Sequence, residues 1–188
     1  VPDDDVPPLD YGRVEAACGR AAARSIETAA QLALDGAVAG IVTAPINKEA
    51  LNAAGYKYPG HTEFLKHLTG APDILMMLTL GSFRVARVTT HVAMRDVPRL
   101  VTAARVERVA TLMHEALVLL GIESPRLAVA GLNPHAGEGG LFGDEEIREI
   151  GPAVVSLTSR GVNVIGPLPP DTVFARAYSG EFDGVVAM

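Results

Sequence analysis

Apolar residues along the chain follow two periodicities, and the stretches that show them alternate. Short continuous apolar runs, which are typical of buried strands, occur at residues 40–44, 73–80, 83–90, 126–132, 162–168 and 185–188. Apolar residues three and four positions apart, which predict helices, occupy residues 12–35, 48–55, 61–68, 109–120, 144–159 and 171–178. Strands separated by helices are typical of an α/β fold, so we predict a layered, largely parallel sheet flanked by helices.

The two ends of the chain differ from this alternating pattern. Residues 1–11 are rich in proline and aspartate, which predicts a linker or loop, and residues 12–188 form the α/β segment. The last apolar run, VVAM at residues 185–188, has the pattern of a buried strand, yet no covering helix follows it. The sequence therefore predicts a piece of a longer protein.

Composition narrows the class of protein. The 188 residues are 48% hydrophobic and carry a formal net charge of -6 without any cluster of lysine and arginine, so we expect neither nucleic acid nor a membrane surface as partner. A single cysteine, Cys18, cannot form an intrachain disulfide. No apolar run reaches the roughly 18 residues of a membrane span, and the acidic start VPDDDVPP is unlike a signal peptide. We expect a cytoplasmic protein.

Two histidines follow two predicted strands. His91 ends the sequence VTTH, and His135 lies in the glycine-rich sequence GLNPHAGEGG. Because ligands gather at the carboxyl ends of strands in α/β sheets, the two imidazoles could share one divalent metal. The alternative is that each is a loop histidine bonded to backbone, since no compact motif such as HExxH is present and no third ligand is evident.

Polar residues at other predicted turns are further candidates. His61 and Thr62, in GHTE, stand at a helix start whose amides could receive a phosphate or carboxylate, with a simple helix cap as the alternative. Asn47 and Lys48, in TAPINK, offer polar contacts at a strand-to-helix turn, although Asn47 also suits a helix cap and Lys48 a solvated surface. Asp171, in GPLPPDT, is a catalytic candidate or a helix cap.

Known nucleotide-binding motifs do not match. AGEGG supplies Gly137 and Gly139, but Phe142 stands where a dinucleotide fingerprint needs its third glycine, and no acidic residue is placed to bind ribose. A phosphate-binding P-loop motif is absent from the sequence. We therefore expect no Rossmann-type cofactor site.

Five motifs taken together resemble one family. TAPINKEALNAAG, YPGHTEF, VTTHVAMRDV, GLNPHAGEGGLFGDEE and GPLPPDTVF occur in the order found in 4-hydroxythreonine-4-phosphate dehydrogenases of pyridoxal phosphate biosynthesis, and the resemblance extends from about Gly12 onward. The resemblance implies an NAD-dependent homodimer that requires a divalent metal, such as zinc, magnesium, manganese or cobalt. It also implies a fold related to isocitrate and isopropylmalate dehydrogenases, which bind NAD without a Rossmann domain.

The resemblance also implies roles for individual residues. His91 and His135 would be metal ligands, and His61 and Thr62 would contact the substrate; we add Asn47, Lys48 and Asp171 as catalytic candidates. A third metal-binding histidine is expected immediately after VVAM, and the family's phosphate and cofactor residues are expected beyond Met188. We therefore expect the 188 residues alone to bind metal poorly and to turn over little substrate.

The reaction implied by the resemblance is a metal-assisted oxidation. NAD would oxidise the 3-hydroxyl of 4-phosphooxy-L-threonine, a small phosphorylated hydroxy-amino acid, and the resulting 3-oxo acid would lose carbon dioxide to give 3-amino-2-oxopropyl phosphate. One alternative keeps the chemistry and changes the substrate to another hydroxy acid, such as a four-carbon sugar-acid phosphate or an aromatic cis-diol carboxylate. An alternative of another class is a catalytically inactive folding or dimerisation fragment.

Overall fold

The computed structural model describes residues 11–188. The linker predicted for residues 1–11 lies outside these residues except for Tyr11. The described residues form seven α-helices: α1 (Ala16–Leu34), α2 (Lys48–Ala53), α3 (His61–Thr69), α4 (Val97–Leu100), α5 (Ala103–Leu119), α6 (Gly151–Ser159) and α7 (Pro170–Tyr178). They also form five strands: β1 (Met77–Leu80), β2 (Phe83–Arg87), β3 (Leu127–Ala130), β4 (Val164–Leu168) and β5 (Gly184–Ala187).

The chain divides into two compact units, the first ending at Ile74 and the second comprising Leu75–Met188. The first unit contains α1, α2 and α3, which pack through a core of Ala23, Ile26, Leu51 and Phe64. The aromatic ring of Phe64 stacks on Tyr58 at a centroid distance of 4.6 Å. A small helical core of this kind follows from the apolar spacing on each helix.

The second unit contains the sheet, whose strands lie in the order β1-β2-β5-β3-β4. β1 pairs with β2 in antiparallel register, and the pairs β2-β5, β5-β3 and β3-β4 are all parallel. The VVAM pattern thus forms a strand in the middle of the sheet, with Val185 and Val186 fully buried. The largely parallel α/β architecture predicted from the sequence is confirmed.

Helices cover both faces of this sheet. Leu127 and Val129 of β3 pack with α5 and α6, whereas Ala128 and Ala130 pack with α7. Successive residues of a strand point to opposite faces, so a strand covered on both sides is apolar throughout instead of alternating. The continuous apolar runs in the sequence have this cause.

One predicted strand is wrong. Residues 40–44 belong to no strand, and Val42 is fully exposed. A strand needs a neighbour to accept and donate its backbone hydrogen bonds, and no strand among residues 11–188 pairs with this stretch.

The helix predicted at residues 144–159 exists in modified form, because a π-helical turn at Glu146–Ile150 precedes α6.

No helix within residues 11–188 has the length and apolar character needed to cross a membrane.

Candidate functional site

The parallel strands of the second unit place three candidate residues at one edge of the sheet. β2, β5, β3 and β4 run in the same direction, so their carboxyl ends meet at that edge. His91 follows β2, His135 follows β3, and Asp171 follows β4 in the first turn of α7. This edge is where ligands bind in open α/β sheets.

The backbone at both histidines is unusual. Among the described non-glycine residues only four have positive φ, namely His91 (56°), His135 (51°), Ala136 (55°) and Glu138 (45°). The left-handed conformation costs about 1–2 kcal/mol for each non-glycine residue. Such strain persists where the surrounding structure enforces it, and it clusters at ligand sites. Both predicted metal ligands therefore stand in backbone conformations typical of functional positions.

His135 begins a continuous left-handed turn that runs through Gly139. Backbone hydrogen bonds close the turn, and two of them lie at its ends: the Ala136 amide donates to the Asn133 carbonyl at 3.1 Å, and the Phe142 amide donates to the Gly137 carbonyl at 3.2 Å. The turn is thus a defined structure, and its glycines allow the left-handed path that the sequence GLNPHAGEGG follows.

A buried carboxylate holds the start of this turn. Glu146, in the π-helical turn, is 4% exposed, and its Oε1 accepts a hydrogen bond from the Asn133 amide at 2.7 Å. Its Oε2 accepts from Asn133 Nδ2 at 2.9 Å. The same Nδ2 donates to Glu145 Oε2 at 2.7 Å, and this hydrogen bond holds the pKa of Glu145 below its usual range. We call the set of Asn133, Glu145 and Glu146 the Asn133 clamp.

The imidazole of His135 interacts with two residues of its own loop. Its Nδ1 lies 3.3 Å from Glu138 Oε1, and its ring stands edge-on to Phe142 at 6.2 Å between centroids. A carboxylate next to one ring nitrogen orients the ring and leaves the other nitrogen for a ligand, as is common for metal-bound histidines. The side chain is about half exposed, at 58%.

His91 lines a cavity of about 410 Å³ at the same sheet edge. The cavity walls come from the ends of β2, β3 and β5, the residues after β2 and the start of α7. Gly131 and Leu132, which lead to the His135 loop, line the cavity, whereas His135 itself does not. The two histidines thus share an edge, but their convergence on one ion stays a prediction.

The donor chemistry of the two histidines suits a borderline divalent cation such as zinc. Within residues 11–188, however, no group of three or more histidine, cysteine, aspartate or glutamate side chains could hold a metal ion. The described residues therefore fit a divalent metal in the type of their donors and supply only part of a ligand set.

The candidate substrate residues belong to the first unit. His61 lines a cavity of about 300 Å³ together with residues of α1 and residues 41–46, and Thr62 follows it in the first turn of α3. The residue at the N-cap position, Gly60, provides no side-chain hydrogen bond to the helix. The amides at this helix start are thus not capped by a side chain, which is compatible with a predicted phosphate or carboxylate contact.

The catalytic candidates have different surroundings. Asn47 caps α2, since its Oδ1 accepts a hydrogen bond from the Ala50 amide at 2.9 Å, and Lys48 is exposed at the first position of that helix. These are the structural alternatives that the sequence left open. Asp171 is exposed and does not cap α7, whose N-cap residue is Pro169. Asn47 and Lys48 belong to the first unit, and Asp171 belongs to the second.

Sequence reasoning missed two residues of this site. Arg87 is the last residue of β2 and lines the cavity of His91, and Glu146 holds the His135 loop. Arginine inside the apolar run FRVARVTT was a signal for the first. The burial of Glu146 had no such signal, because an acidic residue in a first helical turn is ordinarily exposed.

Comparisons with known proteins extend this description. The family of pyridoxal phosphate biosynthetic protein PdxA matches residues 2–188. The chain is 52% identical over 176 residues to the 4-hydroxythreonine-4-phosphate dehydrogenase of Beijerinckia indica, covering 94% of this chain and 52% of that protein. It is 49% identical over 180 residues to the D-threonate 4-phosphate dehydrogenase of Salmonella typhimurium, covering 96% of this chain and 55% of that protein.

A solved structure agrees with these relatives. The 4-hydroxythreonine-4-phosphate dehydrogenase of Klebsiella pneumoniae superimposes with a TM-score of 0.91 at 50% identity, covering 95% of this chain and 54% of that chain. This match confirms the predicted fold, a layered α/β sheet of the isocitrate and isopropylmalate dehydrogenase type. The chain spans about half the length of the curated relatives it matches.

Proposed function

Since the chain belongs to the PdxA family of pyridoxal phosphate biosynthetic proteins, we propose that the full-length protein is an NAD-dependent, divalent-metal-assisted dehydrogenase of a phosphorylated four-carbon 3-hydroxy acid. Its relatives are dehydrogenases named for two such acids, 4-hydroxythreonine 4-phosphate and D-threonate 4-phosphate. The observation that carries the proposal is the sheet edge at which His91 and His135 follow parallel strands in strained backbone conformations.

The proposed chemistry is the same for both acids. Carbon 3 gives its hydrogen to NAD as a hydride and the 3-hydroxyl loses a proton, which gives a 3-oxo acid. The carboxyl group of a 3-oxo acid leaves readily as carbon dioxide, so 4-phosphooxy-L-threonine gives 3-amino-2-oxopropyl phosphate. D-threonate 4-phosphate gives the corresponding hydroxy ketone phosphate by the same route. A divalent cation, when bound, acts as a Lewis acid on the oxygen that becomes the ketone.

The residues of this chain would bind and orient the reactants. His91 and His135 would hold the cation through neutral imidazole nitrogens, with the Glu138 carboxylate orienting the His135 ring. His61 and Thr62 would contact the substrate at the start of α3, where helix amides are suited to an anionic group. Holding the substrate in one orientation aims its hydride at the cofactor.

The test is NADH formation by the purified full-length protein with each acid in turn. We expect oxidation of at least one of the two, loss of activity after treatment with a chelator, and recovery when zinc, manganese, magnesium or cobalt is added back. An aromatic cis-diol carboxylate belongs in the same panel, as the predicted alternative substrate. Absence of NADH formation with every acid would refute the proposed dehydrogenase function.

Both named acids are kept as candidates because relatives of each kind are almost equally similar to this chain, at 52% and 49% identity. We also propose that the enzyme is a cytoplasmic homodimer. Light scattering of the full-length protein checks the homodimer, and a monomer at working concentration would contradict it.

A further inference from the structure

Arg87 is a cation inside the cavity that His91 lines. It is the last residue of β2, and Val85, two positions earlier on the same face of the strand, packs against the cluster that contains α7. Arg87 lines this cavity together with Phe174 of that helix and with Thr89 and Thr90 of the segment that leads to His91. The side chain therefore belongs to the carboxyl edge of the sheet, where the proposed reaction takes place.

The guanidinium has no anionic partner among the described residues. Arg87 Nε is buried and makes no hydrogen bond, and Nη2 donates only to the thioether sulfur of Met76, a weak acceptor. Arg126 of the same unit, by contrast, is paired with both carboxylate oxygens of Asp183 at 3.0 Å. Because a partly buried charge is normally paired or bound to a ligand, Arg87 is equipped to receive an anion.

The described residues that line the rest of the cavity carry no negatively charged side chain. None of the described residues that line it is aspartate or glutamate. Its polar lining residues are Arg87, Thr89, Thr90 and His91, and its volume of about 410 Å³ is in the range of small-molecule sites. A carboxylate that enters this cavity meets one described cation, Arg87, and no described carboxylate, whereas an ammonium group would be repelled by the same cation.

We propose that Arg87 binds the substrate carboxylate and selects the acid that carries a hydroxyl over the one that carries an ammonium on the adjacent carbon. This inference rests on the proposed function. When the guanidinium holds the carboxylate, the group on the adjacent carbon is only a few ångströms from a positive charge in a partly dry cavity. A hydroxyl tolerates that position, and an ammonium is repelled. The preferred substrate is therefore the hydroxy acid, D-threonate 4-phosphate.

The experiment measures binding and turnover on the full-length protein. Titration calorimetry without NAD gives Kd for D-threonate 4-phosphate and for 4-phosphooxy-L-threonine, and NADH formation gives kcat/KM for each. The variants are Arg87→Leu, Arg87→Lys and the matched control Arg84→Leu. Arg84 lies on the same strand outside the cavity, where it donates to the Ser82 carbonyl at 3.0 Å.

We expect the wild-type protein to prefer D-threonate 4-phosphate by about tenfold or more in both Kd and kcat/KM. The reason is that repulsion between two positive charges at this distance is larger than the free energy of a tenfold change in affinity. Arg87→Leu should lose most of that preference. Its affinity for the hydroxy acid should fall about tenfold, and its affinity for the amino acid should fall by less than about threefold. Arg87→Lys should fall between, since it keeps the charge and loses the bidentate fork. Arg84→Leu should leave both ligands unchanged.

The outcomes separate this inference from the proposed function. Suppose that either acid is oxidised, and that Arg87→Leu leaves the preference unaltered or lowers the affinity for both acids equally. The assignment of Arg87 is then overturned, and the dehydrogenase function stands. If neither acid binds nor reacts, both are overturned. Replacing a partly buried cation that has no anionic partner among the described residues should not lower the melting temperature. If Arg87→Leu nevertheless fails to fold, Arg87→Met replaces it, and the same shift in preference is required.

Discussion

Removal of the Glu146 carboxylate should release the left-handed turn that carries His135. Three non-glycine residues of this turn have positive φ, and together they cost about 3–6 kcal/mol. Glu146 accepts two hydrogen bonds from Asn133, at 2.7 and 2.9 Å, and hydrogen bonds to a charged group contribute about 1.5–3 kcal/mol each. The clamp and the strain are thus of similar size, so Glu146→Ala should allow the turn to open.

Amide hydrogen exchange measures this opening directly. The amides of Ala136 and Phe142 donate two of the hydrogen bonds that close the turn. A loss of about 3 kcal/mol corresponds to roughly a hundredfold faster exchange at these amides, if they exchange through local opening. Glu146→Gln should cost less, about 1–2 kcal/mol, because its amide oxygen can still accept from the Asn133 amide while its NH₂ group faces Asn133 Nδ2.

Glu145→Gln is the matched control. Glu145 is the adjacent acid and accepts one hydrogen bond from the same Asn133 Nδ2, but it is not buried. Its substitution should change exchange at the turn by less than about tenfold. If the amides of Ala136 and Phe142 exchange in Glu146→Ala at the same rate as in the wild-type protein, the carboxylate does not hold the turn. The reasoning from strain and burial would then be wrong.

Three further predictions concern the second unit and the extent of the chain. The hydrogen bond and ion pair with Arg126 lower the pKa of Asp183. The contribution of this pair to folding stability should therefore be complete above about pH 4 and should decline as the pH falls through the lowered pKa. Asp183→Asn should flatten acid denaturation curves in that range, and an unchanged curve would contradict the pairing. Gly184→Ala should destabilise the sheet by about 1–3 kcal/mol in urea unfolding, since the added methyl would overlap the end of Met113 in α5; wild-type stability would refute this packing. Residues 1–188 alone should retain less metal than the full-length protein in elemental analysis, and equal retention would contradict an incomplete ligand set.

Local sequence determined much of the fold. Helical spacing predicted six helices at approximately their observed positions. The glycine and asparagine signals at their ends were sufficient because caps involve neighbouring residues. Asn47 is an example, since its hydrogen bond to the Ala50 amide spans three residues. The apolar runs also predicted a largely parallel sheet, because only strands covered on both faces are apolar throughout.

The candidate site was predictable only in part. The positions of His91 and His135 after two strands follow from the sequence, and their roles as ligands follow from family resemblance and stay predictions. The left-handed conformation of both residues was not evident, since neither is a glycine. Backbone strain of this kind depends on distant groups that enforce it, here the Asn133 clamp for the turn at His135.

The sequence by itself determined most of the helices and strands and the residue types that carry the chemistry, because these properties depend mainly on near neighbours along the chain. Tertiary structure alone decided that β5 lies between β2 and β3, that residues 40–44 form no strand, and that Arg87 enters the cavity without an anionic partner. Strand pairing, burial and the partners of a charge all depend on residues far apart in sequence. Local periodicity contains no information about which of those residues meet.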